Sequence, residues 1–259
     1  MVSLSVVIIT FNEEKNIARC IESVKDLADE IVVVDSFSTD STKSICLSMG
    51  VKYIEHKFEG FTAQKNYATG EAIYDYILAL DADEYLSAEL HSSIAKAKSE
   101  WNADGYEMNR LNSYAGKWIK SCGWYPDKKI RLWDRRKGKW SGGLVHEVVV
   151  MAEGADIRHL EGDLLHEAYQ GASQLISKMQ QQYADLFALE HANKKDVTTL
   201  KIFYKTAFSF LKSYILKGGI WDGYEGLVIS VSNANGVFYK YAKLLEINRS
   251  RLKSGKSER

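Results

Sequence analysis

Tyr76-Ile77-Leu78-Ala79-Leu80-Asp81-Ala82-Asp83-Glu84 sets the reading of everything around it. An apolar run with β-branched and aromatic members reads as a buried strand. It ends in three carboxylates, and so much charge needs water, a metal ion or a partner. In an open α/β fold the carboxyl end of a sheet strand is where ligands bind. Alternate residues of a strand share a face, so Asp81 and Asp83 can point the same way. Two hard oxygen donors side by side suit Mg²⁺ or Mn²⁺ carrying phosphate oxygens. Taken alone, the triplet also fits an Asp-rich turn capping a helix over residues 87–98. The flanking chain is needed to decide.

Upstream, Leu4 to Thr10 (LSVVIIT) is a β-branched run of the kind covered on both faces of a sheet. Phe11-Asn12-Glu13-Glu14 follows, then a helical stripe of Ile17, Cys20, Ile21, Val24 and Ala28, which Asn12 is placed to cap. Glu30 to Asp35 (EIVVVD) is a second strand ending in an acid, residues 51–55 a short third, and residues 60–72 a helix carrying Lys65. Strands alternating with helices at this spacing predict a doubly wound, mostly parallel sheet flanked by helices. Thr10-Phe11-Asn12, Asp35 and Asp81-Ala82-Asp83 then all fall at strand carboxyl ends. No Gly-x-Gly-x-x-Gly follows the first strand and no Gly-Lys-Ser/Thr loop occurs, which argues against dinucleotide enzymes and nucleoside triphosphatases.

From about residue 105 the pattern changes to short extended pieces, at 105–111, 129–133 and 144–152. Between the first two lies Gly123-Trp124-Tyr125-Pro126-Asp127, with the only proline of the chain. Helical periodicity runs from 172 to about 217, and the basic tail after Leu245 is expected to be disordered. Residues 1–170 are read as one domain and 171–259 as a helical, basic, aromatic-rich extension.

The 259 residues, 46% of them apolar, suffice for one large domain with an appended piece. Net charge is zero, so no nucleic-acid partner is expected. That balance conceals an asymmetry. Residues 194–259 hold 13 Lys/Arg against 5 Asp/Glu, a net of +8, leaving −8 on residues 1–193. An acidic body with a basic end suggests an anionic surface as partner. Cys20, Cys46 and Cys122 show neither zinc nor disulfide spacing, which points to a reducing compartment. Met1 leads straight toward a strand, and no apolar run reaches the ~20 residues that span a bilayer, so neither a signal peptide nor a membrane span is expected. The expected location is cytoplasmic, either free or peripheral on the inner face of the cytoplasmic membrane.

SVVIITFN (5–12), IVVVDSFSTD (31–40), GFTAQKN (60–66) and LDADE (80–84) resemble family 2 glycosyltransferases of the GT-A (Rossmann-like) fold. GWYPD (123–127), KIRLW (129–133), GLVHE (143–147) and LLHEAY (164–169) look like the branch that glucosylates the bacterial lipopolysaccharide inner core. The resemblance implies that Thr10, Phe11, Asn12 and Glu13 hold the base and ribose, and that Asp35 accepts from the base ring NH. Lys65 would face the diphosphate, Asp81 would contact ribose or metal, and Asp83 would bind a divalent cation, Mg²⁺ or Mn²⁺. The family commonly has an acidic pair as its base motif. This chain has His146-Glu147 there, so the base is Glu147 or, second, His146. The implied partners are a nucleotide-diphosphate sugar, UDP-glucose favoured, and a glycolipid acceptor.

Sugar transfer has requirements that these residues can meet. The leaving diphosphate must be neutralised, which a cation and Lys65 would do. The acceptor hydroxyl must lose a proton as it attacks, and attack opposite the leaving group inverts the anomeric centre. His166 is either a third metal ligand or a structural histidine. Trp124 and Tyr125 either stack on an acceptor ring or pack a loop, and Arg131 either meets acceptor phosphates or is a solvated charge. Residues 203–245 fit a membrane-interface helix, a packed lid or a dimer face. A polyprenyl-phosphate sugar transferase or a non-catalytic nucleotide-sugar-binding protein would share much of this pattern.

Overall fold

A computed structural model describes residues 1–142, 147–177, 183–192 and 196–257. In chain order the elements are β1 (Leu4–Thr10), α1 (Ile17–Glu22), β2 (Glu30–Asp35), α2 (Thr42–Ser48), β3 (Lys52–Glu55), α3 (Phe61–Gly70), β4 (Tyr76–Asp81), β5 (Glu84–Leu86) and α4 (Ala88–Ser99). They continue with β6 (Gly105–Tyr114), β7 (Lys117–Trp118), β8 (Asp127–Asp134), β9 (Gly138–Gly142), β10 (Glu147–Met151) and β11 (Ile157–Tyr169). Then come α5 (Ala172–Ser177), α6 (Tyr183–His191), α7 (Thr199–Leu211), a π-helical turn (Lys212–Leu216), a 3-10 turn (Gly219–Asp222) and α8 (Gly223–Ser257). The chain forms two units: residues 1–111 with 126–167, and residues 112–125 with 168–259.

The first unit is α/β. Its sheet runs β3-β2-β1-β4-β8-β6-β11-β5, the first four strands parallel and β8, β6 and β5 each antiparallel to a neighbour. β1 and β4 are mostly apolar up to their polar carboxyl ends because both faces of the sheet are covered. One core joins Val6, Ile8, Leu78 and Leu80 to Ile17, Cys20 and Ile21 of α1 and Leu90 and Ile94 of α4. The other joins Val7, Val32, Ile77 and Ala79 to Ala68 of α3 and Trp133, Trp140 and Val149. Ser87 caps α4 by accepting from the Leu90 amide at 3.2 Å, with Glu89 in the first turn and Lys96 and Lys98 in the last. The same helix start lies against Gly162 (φ +93°), where an added Cβ would stand 2.3 Å from the Leu90 nitrogen. Any larger residue would collide there.

Asn12 does not cap α1. That helix begins at Ile17 after Asn16, and Asn12 Oδ1 instead accepts from the Thr39 amide at 2.8 Å. Its φ of 54° turns the chain sharply, which asparagine tolerates better than most residues.

The second unit is largely helical. In its 112–125 segment, β7 pairs antiparallel with Ser113 and Tyr114. Tyr114, Ile119 and Cys122 pack with Leu175 and Ile229, and Trp124 lies against Tyr169 with ring centroids 5.5 Å apart. The domain boundary drawn at 170/171 leaves out this segment, which joins the helical unit through space. Helical periodicity over 172–217 resolves into several pieces, and the tail after Leu245 is helix rather than disordered through Ser257. Leu244 anchors α8 against Ala188, Val197 and Ile202. Lys and Arg are good helix formers and are favourable near a helix C-terminus, so a basic tail need not end the helix. Among the described residues no helix is long and apolar enough to cross a membrane.

Candidate active site

Register places the site. Thr10 of β1 pairs with Asp35 of β2, and Ile9 pairs with Asp81 of β4, so the three polar strand ends share one edge of the parallel sheet. The loops above that edge are cross-linked. The Asn12 amide donates to Ser38 Oγ at 2.7 Å, the Glu13 amide to Thr42 Oγ1 at 2.9 Å and the Glu14 amide to Asp40 Oδ2 at 3.1 Å. Phe11 and Phe37 remain exposed there, and Phe37 is held at φ 64°, a strained conformation for an aromatic residue. Among the described residues, buried Thr10 Oγ1 has no hydrogen-bond partner.

Asp35 is fully buried and accepts from Ser38 Oγ at 2.7 Å, from the Ser38 amide, and from the Tyr53 hydroxyl. Burial raises the Tyr53 phenol pKa well above its usual value, and the Asp35 carboxylate raises it further. Tyr53 therefore stays a proton donor toward Asp35.

At β4 the charges interlock. Lys65, carried by α3 and itself buried, donates to Asp81 Oδ2 at 3.1 Å and to Glu147 Oε1 at 2.9 Å. Asp81 Oδ1 lies 2.9 Å from the same ammonium, but without the alignment of a hydrogen bond. Arg131 of β8, also buried, donates to Asp81 Oδ2 at 3.2 Å and to Glu84 Oε1 at 2.7 Å. Glu84 in turn accepts from the Asp81 amide at 3.0 Å and lies 3.4 Å from Arg110, which holds Asp127 at 2.8 Å. Burial alone would push the Asp81 carboxyl up; Lys65 and Arg131 override it and hold it well below the usual carboxylate range. Burial likewise opposes the Arg131 cation, but Glu84 and Asp81 outweigh it and raise its pKa.

Trp140 supports both cations from one side. Its ring centroid is 4.7 Å from Lys65 Nζ and 5.4 Å from Arg131 Cζ. Asn66, next to Lys65, fixes this strand by a reciprocal clasp, its amide donating to the Trp140 carbonyl at 3.0 Å and its carbonyl accepting from the Trp140 amide at 3.2 Å. The β9–β10 pairing then brings Glu147 to Lys65.

A different pairing positions Asp83. β11 pairs with β5, His166 opposite Glu84, and the Glu167 amide donates to the Asp83 carbonyl at 3.0 Å. That pairing sets His166 Nε2 3.2 Å from Asp83 Oδ2. A carboxylate and an imidazole in contact, both partly accessible, are a donor pair that fits a divalent cation with positions left for water or phosphate oxygens. Among the described residues no group of three His, Cys, Asp or Glu side chains forms a metal cluster on its own.

The residues singled out from sequence therefore divide. Thr10, Phe11, Asn12, Glu13, Asp35, Lys65, Asp81, Asp83, Glu147 and His166 belong to the first unit, at or beside this sheet edge. His146 lies outside the described residues. Trp124 and Tyr125 belong to the second unit, where Tyr125 lies 5.1 Å from Lys120 Nζ. Arg131, left open above between an acceptor contact and a solvated charge, is buried between Asp81 and Glu84, with its charge already matched. Arg110, Trp140 and Tyr53, none of which the sequence reading singled out, join the site, and Glu84, read there only as one of three strand-end carboxylates, is the buried partner of Arg131. Their one signal is charge or aromaticity inside a strand that must be buried.

A model of glycosyl transferase family 2 matches residues 5–155, more than half of the chain. This protein belongs to that family. An uncharacterised glycosyltransferase of Rickettsia typhi is 32% identical over 96% of this chain and 88% of its own length. The lipopolysaccharide core biosynthesis glycosyltransferase LpsC of Rhizobium meliloti is 29% identical over 94% of this chain and 92% of its own. Among solved structures, glucosyl-3-phosphoglycerate synthase of Mycobacterium tuberculosis, in complex with Mn²⁺, UDP and glucosyl-3-phosphoglycerate, aligns over 43% of this chain and 44% of its own at 19% identity, with a TM-score of 0.37.

Proposed function

We propose that the protein transfers a sugar, with inversion, from a nucleoside-diphosphate sugar to a glycan acceptor of the bacterial envelope. A lipopolysaccharide core is the favoured acceptor class and UDP-glucose the favoured donor. The observation that carries this is the shared sheet edge, which sets Thr10, Asp35 and Asp81 in register beside the Asp83–His166 pair and the Lys65–Glu147 pair. The resemblance to LpsC over nearly the whole chain supports the envelope acceptor.

Asp35 and the loop bearing Phe11 and Asn12 bind the base and ribose, and Thr10 Oγ1 supplies a buried polar atom with bonding capacity to spare. Asp83 and His166 would hold the divalent cation, which would supply positive charge to neutralise the leaving diphosphate. Lys65 lies between Asp81 and Glu147, and a diphosphate entering beside it competes for its ammonium. Loss of that ion pair leaves the Glu147 carboxylate open to an acceptor hydroxyl. Glu147 takes the hydroxyl proton while the acceptor oxygen bonds to the anomeric carbon and the bond to the diphosphate breaks. The bonding pair leaves with the diphosphate.

Calorimetric titration of UDP-sugars with and without Mn²⁺ tests the donor site. The wild type binds only with the cation present, and Asp83→Ala loses that dependence along with most of its affinity. Unchanged cation-dependent binding by Asp83→Ala removes the metal assignment.

A further inference from the structure

The second unit carries a surface that sugar transfer does not require. Leu200, Tyr204, Phe208, Leu211 and Ile215 recur at spacings of three and four along α7 and the π-helical turn, so they share one face. All five are exposed, Leu200 by 77%, and Trp221 just beyond is exposed by 88%. The opposite face is the one that packs, with Ile202 buried against Val197 and Leu244. From Thr198 to Trp221 the chain has four lysines and no aspartate or glutamate. Lys201, Lys205 and Lys212 each follow a member of the stripe by one residue, which lines them along one border of it; Lys217 lies just past its end.

We propose that this face of α7 docks on the surface of an anionic lipid bilayer. An apolar stripe rich in aromatic residues and bordered by lysines matches an interface in which rings sit at headgroup depth and ammonium groups reach lipid phosphates. The charge decides between occupants. A second copy of this chain would bring the same lysines against one another, whereas an anionic lipid surface complements them. Apolar insertion and headgroup attraction act together, and no helix need cross the membrane. The inference goes beyond the sugar-transfer reading and does not depend on which donor or base the enzyme uses.

Sedimentation of the full chain with vesicles tests it, using phosphatidylcholine alone and phosphatidylcholine mixed with phosphatidylglycerol. Binding is expected to the mixed vesicles and not to the zwitterionic ones, and to weaken as salt is raised. Each lysine near an anionic surface is worth roughly fivefold in affinity, so Lys212→Glu with Lys217→Glu lowers binding by about twentyfold or more. Phe208→Ser, Leu211→Ser and Trp221→Ser together lower it comparably. Cation-dependent UDP-sugar binding in solution is unchanged in the lysine variant, which separates failure of the surface from failure of the donor site. Equal binding to both vesicle types, or by the lysine variant, overturns the proposal. So does wild type that ignores lipid but forms a dimer which the triple variant loses. If the triple variant fails to fold, judged by circular dichroism, the lysine pair alone decides.

Discussion

Glu84, Arg131 and Lys65 in the first unit are 0, 3 and 3% exposed, while Leu200 and Trp221 in the second are 77 and 88% exposed. Each unit departs from ordinary burial, and in opposite senses. Charge goes inside only where opposite charge meets it, because an unmatched buried ion loses several kcal/mol of hydration, on the order of a whole domain's stability. The first unit meets that condition by linking Glu147, Lys65, Asp81, Arg131, Glu84, Arg110 and Asp127 into one chain of alternating sign. The second unit leaves apolar groups in water, which costs little structurally but needs an occupant to be useful. On the readings proposed above, the buried charge serves the chemistry and the exposed apolar face receives a partner.

The contrast can be broken most sharply at Glu147. Glu147→Gln should keep UDP-sugar affinity and lower turnover by about 10²–10⁴, the usual contribution of a positioned base. Full turnover would place the base elsewhere. Next in size is Glu84→Ala, which strands Arg131 without its shortest partner and should cost about 3–5 kcal/mol in urea unfolding. Leu200→Ser is the matching test in the second unit and should change stability by less than about 0.5 kcal/mol. Were the two variants to melt alike, the difference between the units would be one of appearance only.

The effect at Tyr53 is confined to alkaline pH. Its folded-state pKa is raised by burial and by Asp35, so the folded protein keeps a proton that the unfolded chain releases near pH 10. The associated stability is complete below that pH and is lost as pH rises above it, by up to about 1.4 kcal/mol per pH unit. Tyr53→Phe should flatten this alkaline loss, measured as urea midpoints between about pH 9 and 11. An unchanged slope would mean that the phenol is not held by Asp35.

Sequence made the parallel half of the first unit legible because β1, β2 and β4 are continuous apolar runs, each ending in polar residues. That pattern reports strand, burial and ligand edge together. For His166 a metal ligand beside Asp83 and a structural histidine stayed open in sequence, since the β11–β5 pairing that sets it 3.2 Å from Asp83 joins segments some eighty residues apart and leaves no local periodicity. Arg131 misled because an arginine in KIRLW reads as surface charge, and only the fold reveals Glu84 beside it. Asn12 misled as well. A helix cap and a sharp loop turn call for the same residue types, and the cross-link to Thr39 settles between them only in three dimensions. The 112–125 segment joined the helical unit through contacts at Ile119 and Cys122 that nothing nearby in the chain announces.

The pairing of Ile9 with Asp81, and of Thr10 with Asp35, has a consequence for how this enzyme can vary. Removing a single residue from β4 would shift its alternation by one and turn the last carboxylate toward the opposite side of the sheet. On the proposed function, β4 should therefore tolerate a change in side-chain size better than a change in its length.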